Sequence, residues 1–286
     1  MVEGALSDQV MMNKIGVMQG RLLPKFQGRY QAHPVNYWQD EFFIAEKIGL
    51  DCIEFIFDYN DFALNPLYSY KGLNEIAKIS QTTGVKVITI CADYFMEAPI
   101  HSDIKSTSEE SLKILERLIQ NASSIKVSDI VIPCVDHSSI QSLQNRERLK
   151  FSLEKILTVA EKYNVNISLE TDLSPEIFSK FLNEFSTSHL KVNYDIGNSS
   201  SLGYDPIEEL EAYGTLISDV HIKDRKLNGG PEILGYGDAN FEDVFKKLAE
   251  LGYQGPFIMQ AYRDDEGVSV FKSQLNYIKK YFNLMD

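Results

Sequence analysis

The sequence predicts a closed (β/α)8 barrel, and three observations lead there. Eight short β-type runs alternate with eight amphipathic stretches, with no Pro/Gly/Ser-rich linker between them. The 286 residues suit such a barrel, which needs about 250. The last four runs, VNISLE (165–170), KVNYD (191–195), DVHIKD (219–224) and PFIMQ (256–260), carry polar side chains toward one face, each ending on Glu170, Asp195, His221 or Gln260 or close to it. That parity suits a barrel lumen better than an open sheet covered by helices on both faces. The turn GVMQGRLLPKF also lacks the GxGxxG of a doubly wound nucleotide-binding sheet.

The first four strands are expected at KIGVMQ (14–19), CIEFIF (52–57), KVITIC (86–91) and DIVIPC (129–134). Helices are expected at 37–49, stopping at Gly49, and at 72–84, 108–126 and 146–164. Others follow at 174–185, with Ser174 as cap and Pro175 opening the helix, and at 205–214, 240–252 and 268–282. The surplus length falls in the βα loops 20–36 and 58–71, rich in Gly, Pro, Asn, Asp and Tyr. Residues 1–13 read as a loose tail and 14–286 as one barrel domain.

A net charge of −13 opposes broad binding to nucleic acid or to an anionic membrane, but not to a small anionic substrate. No signal peptide and no membrane-spanning run is expected. Cys52, Cys91 and Cys134 lie inside strands without metal-type spacing, which fits buried free thiols in a cytoplasmic protein.

In a barrel the C-terminal strand ends share one mouth. Glu170, Asp195, His221 and Gln260 would then face one another, a set of oxygen and imidazole donors suited to one divalent ion such as Mn, Zn, Co or Mg. Taken singly, each has a bland reading as a cap or a salt-bridge partner; four on successive strands with the same parity favour a shared centre. Arg21, Lys223, Arg225 and Arg263 follow strands one, seven and eight and are candidates for holding a phosphate or polyol. The loop GYGDANF (235–241) precedes a helix whose N-terminus could receive an anion, although a plain turn with Asn240 as cap is slightly favoured.

The strings ISLETD, NYDIGN, DVHIKDR and GYGDANFEDVFKKLAELGYQGPFIMQAYR resemble the sugar-phosphate isomerase/epimerase family with the xylose-isomerase-like TIM barrel, nearest its pentulose- and hexulose-phosphate 3-epimerase and isomerase branch. The resemblance runs from IGVMQGRL onward and is specific in the last four strands; CADYFMEAPIHSD matches the family's substrate-lining loop only loosely. It implies Glu170, Asp195 and His221 as metal ligands and Asn198 as the Asn of a D-x-G-N motif that meets substrate. It also implies a small sugar or sugar phosphate as partner, and a homo-oligomer. One position departs from the pattern: where the family usually has a glutamate that is both fourth ligand and second acid/base, this chain has Gln260. An amide oxygen can bind a cation but takes no proton at ordinary pH.

The expected function is therefore a metal-dependent isomerase acting through an enediolate, with Glu170 as base. The alternatives are a two-base keto-sugar 3-epimerase, an inosose-type dehydratase, or a sugar- or metal-binding protein that lost activity through Gln260. If a second acid exists, Glu54, Asp93 and Glu97 stand near strand ends. An endonuclease IV-type role would need more than five histidines and a basic face.

Overall fold

The computed structural model describes residues 13–285. The expected tail therefore lies outside the described residues, except Asn13, whose amide donates to the carbonyls of Tyr253 and Gly255 at 3.0 Å. Eight parallel strands close on themselves: β1 (Ile15–Met18), β2 (Cys52–Ile56), β3 (Lys86–Cys91), β4 (Asp129–Cys134), β5 (Asn166–Thr171), β6 (Leu190–Asp195), β7 (Ile217–Ile222) and β8 (Phe257–Met259), with β8 paired to β1. Each falls on its predicted run to within a residue or two. A two-residue antiparallel ladder, Asp224–Arg225 with Pro231–Glu232, folds the β7 loop back over the mouth.

The helices are α1 (Asp40–Ile48), α2 (Tyr70–Thr83), α3 (Tyr94–Glu97), α4 (Lys105–Ser124), α5 (Leu143–Tyr163), α6 (Pro175–Leu182), α7 (Ile196–Leu202), α8 (Pro206–Tyr213), α9 (Phe241–Glu250) and α10 (Val268–Phe282). Their ends follow local chemistry. Ser69 and Ser142 accept backbone N–H bonds at the starts of α2 and α5, and Gly49 and Gly84 close α1 and α2 at positive φ. Ser174 holds the cap position of α6, but its hydroxyl makes no capping bond. Helices α3 and α7 were not foreseen. IGNSSSL has poor intrinsic propensity, and α7 forms because the Asp195 carboxylate caps it, accepting from Asn198 N at 2.7 Å.

Two apolar layers follow from strand alternation. Met18, Cys52, Ile56, Cys91 and Ile258 fill part of the lumen, while the larger core lies between strands and helices. The register is interrupted at Ile53/Phe55 of β2 and Val192/Asn193 of β6. Bulges of this kind re-aim side chains beside functional sites. Beyond the second one, Asp195 pairs with His221. All three cysteines are buried and free. No helix among the described residues is long and apolar enough to cross a membrane.

His33 is expected to make the fold acid-sensitive. Its buried ring packs 5.3 Å from Phe55, its Nδ1 lies 3.0 Å from Gln19 Oε1, and burial pushes its pKa down to about 3. Below the ordinary value of 6.5 the unfolded chain takes a proton that the folded ring refuses, so stability falls as pH drops from 6.5 toward 3. Fully developed, that loss is on the order of 4–5 kcal/mol. His33→Asn keeps an N–H donor without the titration. Denaturant melts of both proteins from pH 7 to 4 are expected to give a flatter stability curve for the variant; parallel curves would remove His33 from this role.

Candidate active site at the barrel mouth

Glu170, Asp195, His221 and Gln260 are all buried at the C-terminal ends of β5 to β8, and the structure brings them together. One donor atom each from Glu170, Asp195 and His221 lies within 4.8 Å of the others. His221 Nε2 is 2.7 Å from Glu54 Oε1, whereas its Nδ1 has no hydrogen-bond partner and lies 3.9 Å from Asp195 Oδ2. A buried ring nitrogen left over beside two carboxylates is the donor set a divalent cation requires. These residues fit such an ion.

Lys223 reaches into the same centre. Its ammonium donates to Asp195 Oδ2 at 3.2 Å, Asn198 Oδ1 at 3.0 Å and Gln260 Oε1 at 3.2 Å. Asn198 braces the floor, giving its amide to Glu170 Oε1 at 2.5 Å and taking Arg225 Nη1 at 2.8 Å. The Gln260 amide is held in one orientation, because its Nε2 donates to Gln31 Oε1 at 3.1 Å. Gln31 in turn donates to Asp93 Oδ2 at 2.9 Å and accepts from Arg21 Nη2 at 3.0 Å. Gln260 therefore presents oxygen, not nitrogen, to the centre.

Burial, reinforced by neighbouring Asp195, pushes the Glu170 carboxyl up to about 7, although His221, Lys223 and Asn198 pull the other way. Burial also works against the charge of Asp195, yet the Lys223 ammonium and His221 hold it at about 2. Two carboxylates of similar burial are thus split in proton affinity, the pattern that separates a proton-transfer group from a permanent anion. For His221, burial opposes the charge, but Glu54 and the nearby Asp195 and Asp219 raise its pKa well above the ordinary value, so an ion taken up on Nδ1 would displace a proton from that nitrogen. Asp219 is itself raised well above the usual range by burial and by Glu54.

The cavity above these groups has a volume of about 400 Å3 and is lined by Arg21, Gln31, Asp93, Asp136, Glu170, Asp172, Asn198, Lys223, Arg225 and Gln260 among others. A second hollow of similar size, about 440 Å3, opens between α7, α8 and α9 away from this centre. The polar, convergent groups lie in the first.

The candidate substrate-binding residues divide. Lys223, Arg225 and Asn198 face the cavity. Arg21 lines it too, but it spends its guanidinium on the carbonyls of Ala261 and Tyr30 and on Gln31. Arg263 is misplaced by the sequence reading. It is buried outside the cavity and donates to the carbonyls of Gly20 and Leu23 at 2.7 Å, so it staples the β1 loop to the β8 loop. The loop 235–241 is closed to an external anion: the Asp224 carboxylate accepts from Gly235 N, Gly237 N and Ala239 N at 2.8–3.1 Å. Asn240 caps α9 through Asp243 N. Asp224→Asn removes the charge from this nest and is expected to destabilise the protein by about 1–3 kcal/mol, read as a lower melting temperature. An unchanged melting point would show that the nest is not held by that charge.

Gln31 gave no signal in the sequence, since it lies in an irregular loop with no periodicity. Glu54 gave one: a glutamate with lumen parity between Cys52 and Ile56 has no bland use inside an apolar strand. Glu97 does not line the cavity, and Glu54 faces His221; of the three alternative acids, Asp93 alone reaches the substrate space.

The fold and site together define an (β/α)8 barrel with a carboxylate–imidazole centre at its catalytic end. A model of the xylose isomerase-like TIM barrel family matches residues 42–281, and the chain belongs to that family. L-ribulose-5-phosphate 3-epimerase UlaE of Escherichia coli is 25% identical over 235 residues, covering 79% of this chain and 83% of the relative. A D-tagatose 3-epimerase-like protein superposes with a TM-score of 0.73 at 17% identity, covering 95% of this chain and 98% of the other. The IOLI protein with a bound zinc atom gives 0.73 at 16% identity, covering 95% and 98%.

Proposed function

We propose that this protein is a divalent-metal-dependent sugar isomerase that works through an enediolate, with Glu170 as the base. The observation that carries the reading is geometric: Glu170, Asp195 and His221 offer ligand atoms within 4.8 Å of one another, with the orphaned Nδ1 of His221 among them, and Glu170 lines the cavity above. Glu170, Asp195, His221 and the Gln260 oxygen would hold the ion. When bound, it supplies Lewis-acid polarisation of a hydroxy-ketone and stabilises the enediolate charge.

The chain's own residues then divide the work. Glu170 takes the proton beside the carbonyl; the C–H electron pair forms the enediolate double bond as the carbonyl pair moves to oxygen. Glu170 returns that proton to the neighbouring carbon while the hydroxyl proton of the first carbon passes to the former carbonyl oxygen, so that the first carbon becomes the new carbonyl and ketose becomes aldose with one carbon base. Asn198 holds Glu170, and Lys223 and Arg225 complement developing negative charge. The substrate class is a sugar or sugar phosphate, as the names of the relatives suggest.

A second reading, 3-epimerisation, is favoured by Asp93. It lines the cavity, burial raises its pKa, and Gln31 links it to Gln260. It could protonate the enediolate from the face that Gln260 cannot serve, and the named epimerase relatives agree with this. Incubation of manganese-loaded protein with D-tagatose, D-psicose and L-ribulose 5-phosphate in deuterium oxide separates the possibilities. An aldose product supports the isomerase and a C3 epimer the second reading. Binding without any exchange of the carbon-bound proton defeats both and leaves a binding protein.

A further inference from the structure

We infer that Glu54 is a positioning residue for the metal centre: it takes the Nε2–H of His221 and thereby fixes Nδ1 as the nitrogen offered to the ion. The inference rests on the metal-dependent reading above and adds a residue to it.

The geometry is specific. Glu54 Oε1 lies 2.7 Å from His221 Nε2, and both side chains are fully buried. The other nearby carboxylate, Asp219, is 3.8 Å from the same nitrogen, beyond hydrogen-bond distance. On the far side of the ring Nδ1 has no partner and faces Asp195. An imidazole that donates from one nitrogen presents its lone pair on the other, so a carboxylate behind the ring selects both the tautomer and the ring orientation. Strand pairing locks the placement: Glu54 stands opposite Met18 in the β1–β2 register, its own carbonyl accepts from Gln19 N at 2.9 Å, and the β2 irregularity at Ile53/Phe55 brackets it.

A purely structural role explains Glu54 poorly. Its lumen neighbours on β2 are Cys52 and Ile56, and besides His221 it faces a second buried carboxyl, Asp219, so nothing there but the imidazole balances its charge. Burying a carboxylate in such a place is costly, and a well-packed apolar residue of similar volume would serve stability at least as well. The same placement removes Glu54 from the second-acid role, since it lies beneath His221 and does not line the cavity.

The test uses metal alone. Zinc, manganese and cobalt binding is measured by calorimetry on wild type and Glu54→Gln, with circular dichroism confirming that the variant is folded. The expected result is a 10–100-fold weaker affinity in Glu54→Gln. Independently of any variant, nitrogen-15 NMR of zinc-loaded wild type is expected to show His221 with a proton on Nε2 and the zinc-shifted resonance on Nδ1. Zinc on Nε2, or unchanged affinity in Glu54→Gln beside normal wild-type uptake, overturns the role of Glu54 alone. Wild type that takes up none of the three ions overturns the metal centre and this role with it.

Discussion

Glu170→Gln is expected to lower turnover by about 10²–10⁴-fold, the usual contribution of a positioned acid–base group. The side chain remains isosteric, so Asn198 keeps a neighbour and the cavity keeps its shape. What disappears is the carboxyl that burial and Asp195 raise to about 7 and that lines the cavity beside the candidate ligands. Asp195 cannot replace it: Lys223 and His221 hold that carboxyl at about 2, so it stays ionised and accepts no proton under working conditions. The amide oxygen of the variant still offers a lone pair, and three of the four candidate ligands are untouched, so manganese affinity should fall far less than the rate. The measurement is solvent deuterium incorporation at the substrate carbon, beside calorimetric metal titration. Loss of exchange with retained metal supports the base assignment. Exchange at the wild-type rate removes Glu170 from it.

Much of this centre was legible in the chain because strand alternation is rigid. Once VNISLE, KVNYD and DVHIKD are strands, Glu170, Asp195 and His221 must share a face, and closure of the barrel must bring them to one mouth. The Asp195–His221 neighbourhood also needed a register irregularity at Val192/Asn193, which no pattern announces.

The misjudged residues belong to loops. Arg263 stands three residues beyond Gln260, and its chemistry suggests an anion, but the chain beyond β8 turns it back onto the carbonyls of Gly20 and Leu23. GYGDANF has the composition of an anion nest and is one; the anion is Asp224 of the same chain. Sequence identifies a group that wants a partner far more readily than it identifies which partner arrives first. Helix α7 shows the same limit, since its residues favour a loop and the Asp195 cap decides otherwise.

Gln260→Glu is expected to raise C3 inversion about 100-fold if the native protein works with one base, because an added acid–base group on the strand-eight wall contributes at least that much. The surroundings set the terms. The native Oε1 already faces the Lys223 ammonium at 3.2 Å, so one oxygen of the new carboxyl gains an ion pair. The other oxygen replaces the Nε2–H that now donates to Gln31 Oε1 at 3.1 Å, and two acceptors cannot face each other there. Either the new carboxyl carries a proton on that oxygen, or Gln31 turns its own amide toward it and releases Asp93. Both outcomes place an acid on the substrate cavity, where the native amide has none to give. Metal affinity should also rise about tenfold, since a charged ligand oxygen replaces a neutral one. The assay is epimer and aldose yield from a ketose in deuterium oxide, run in parallel on Asp93→Asn. An inversion rate unchanged by Gln260→Glu but lost in Asp93→Asn would assign the second proton transfer to Asp93 and make the native protein an epimerase.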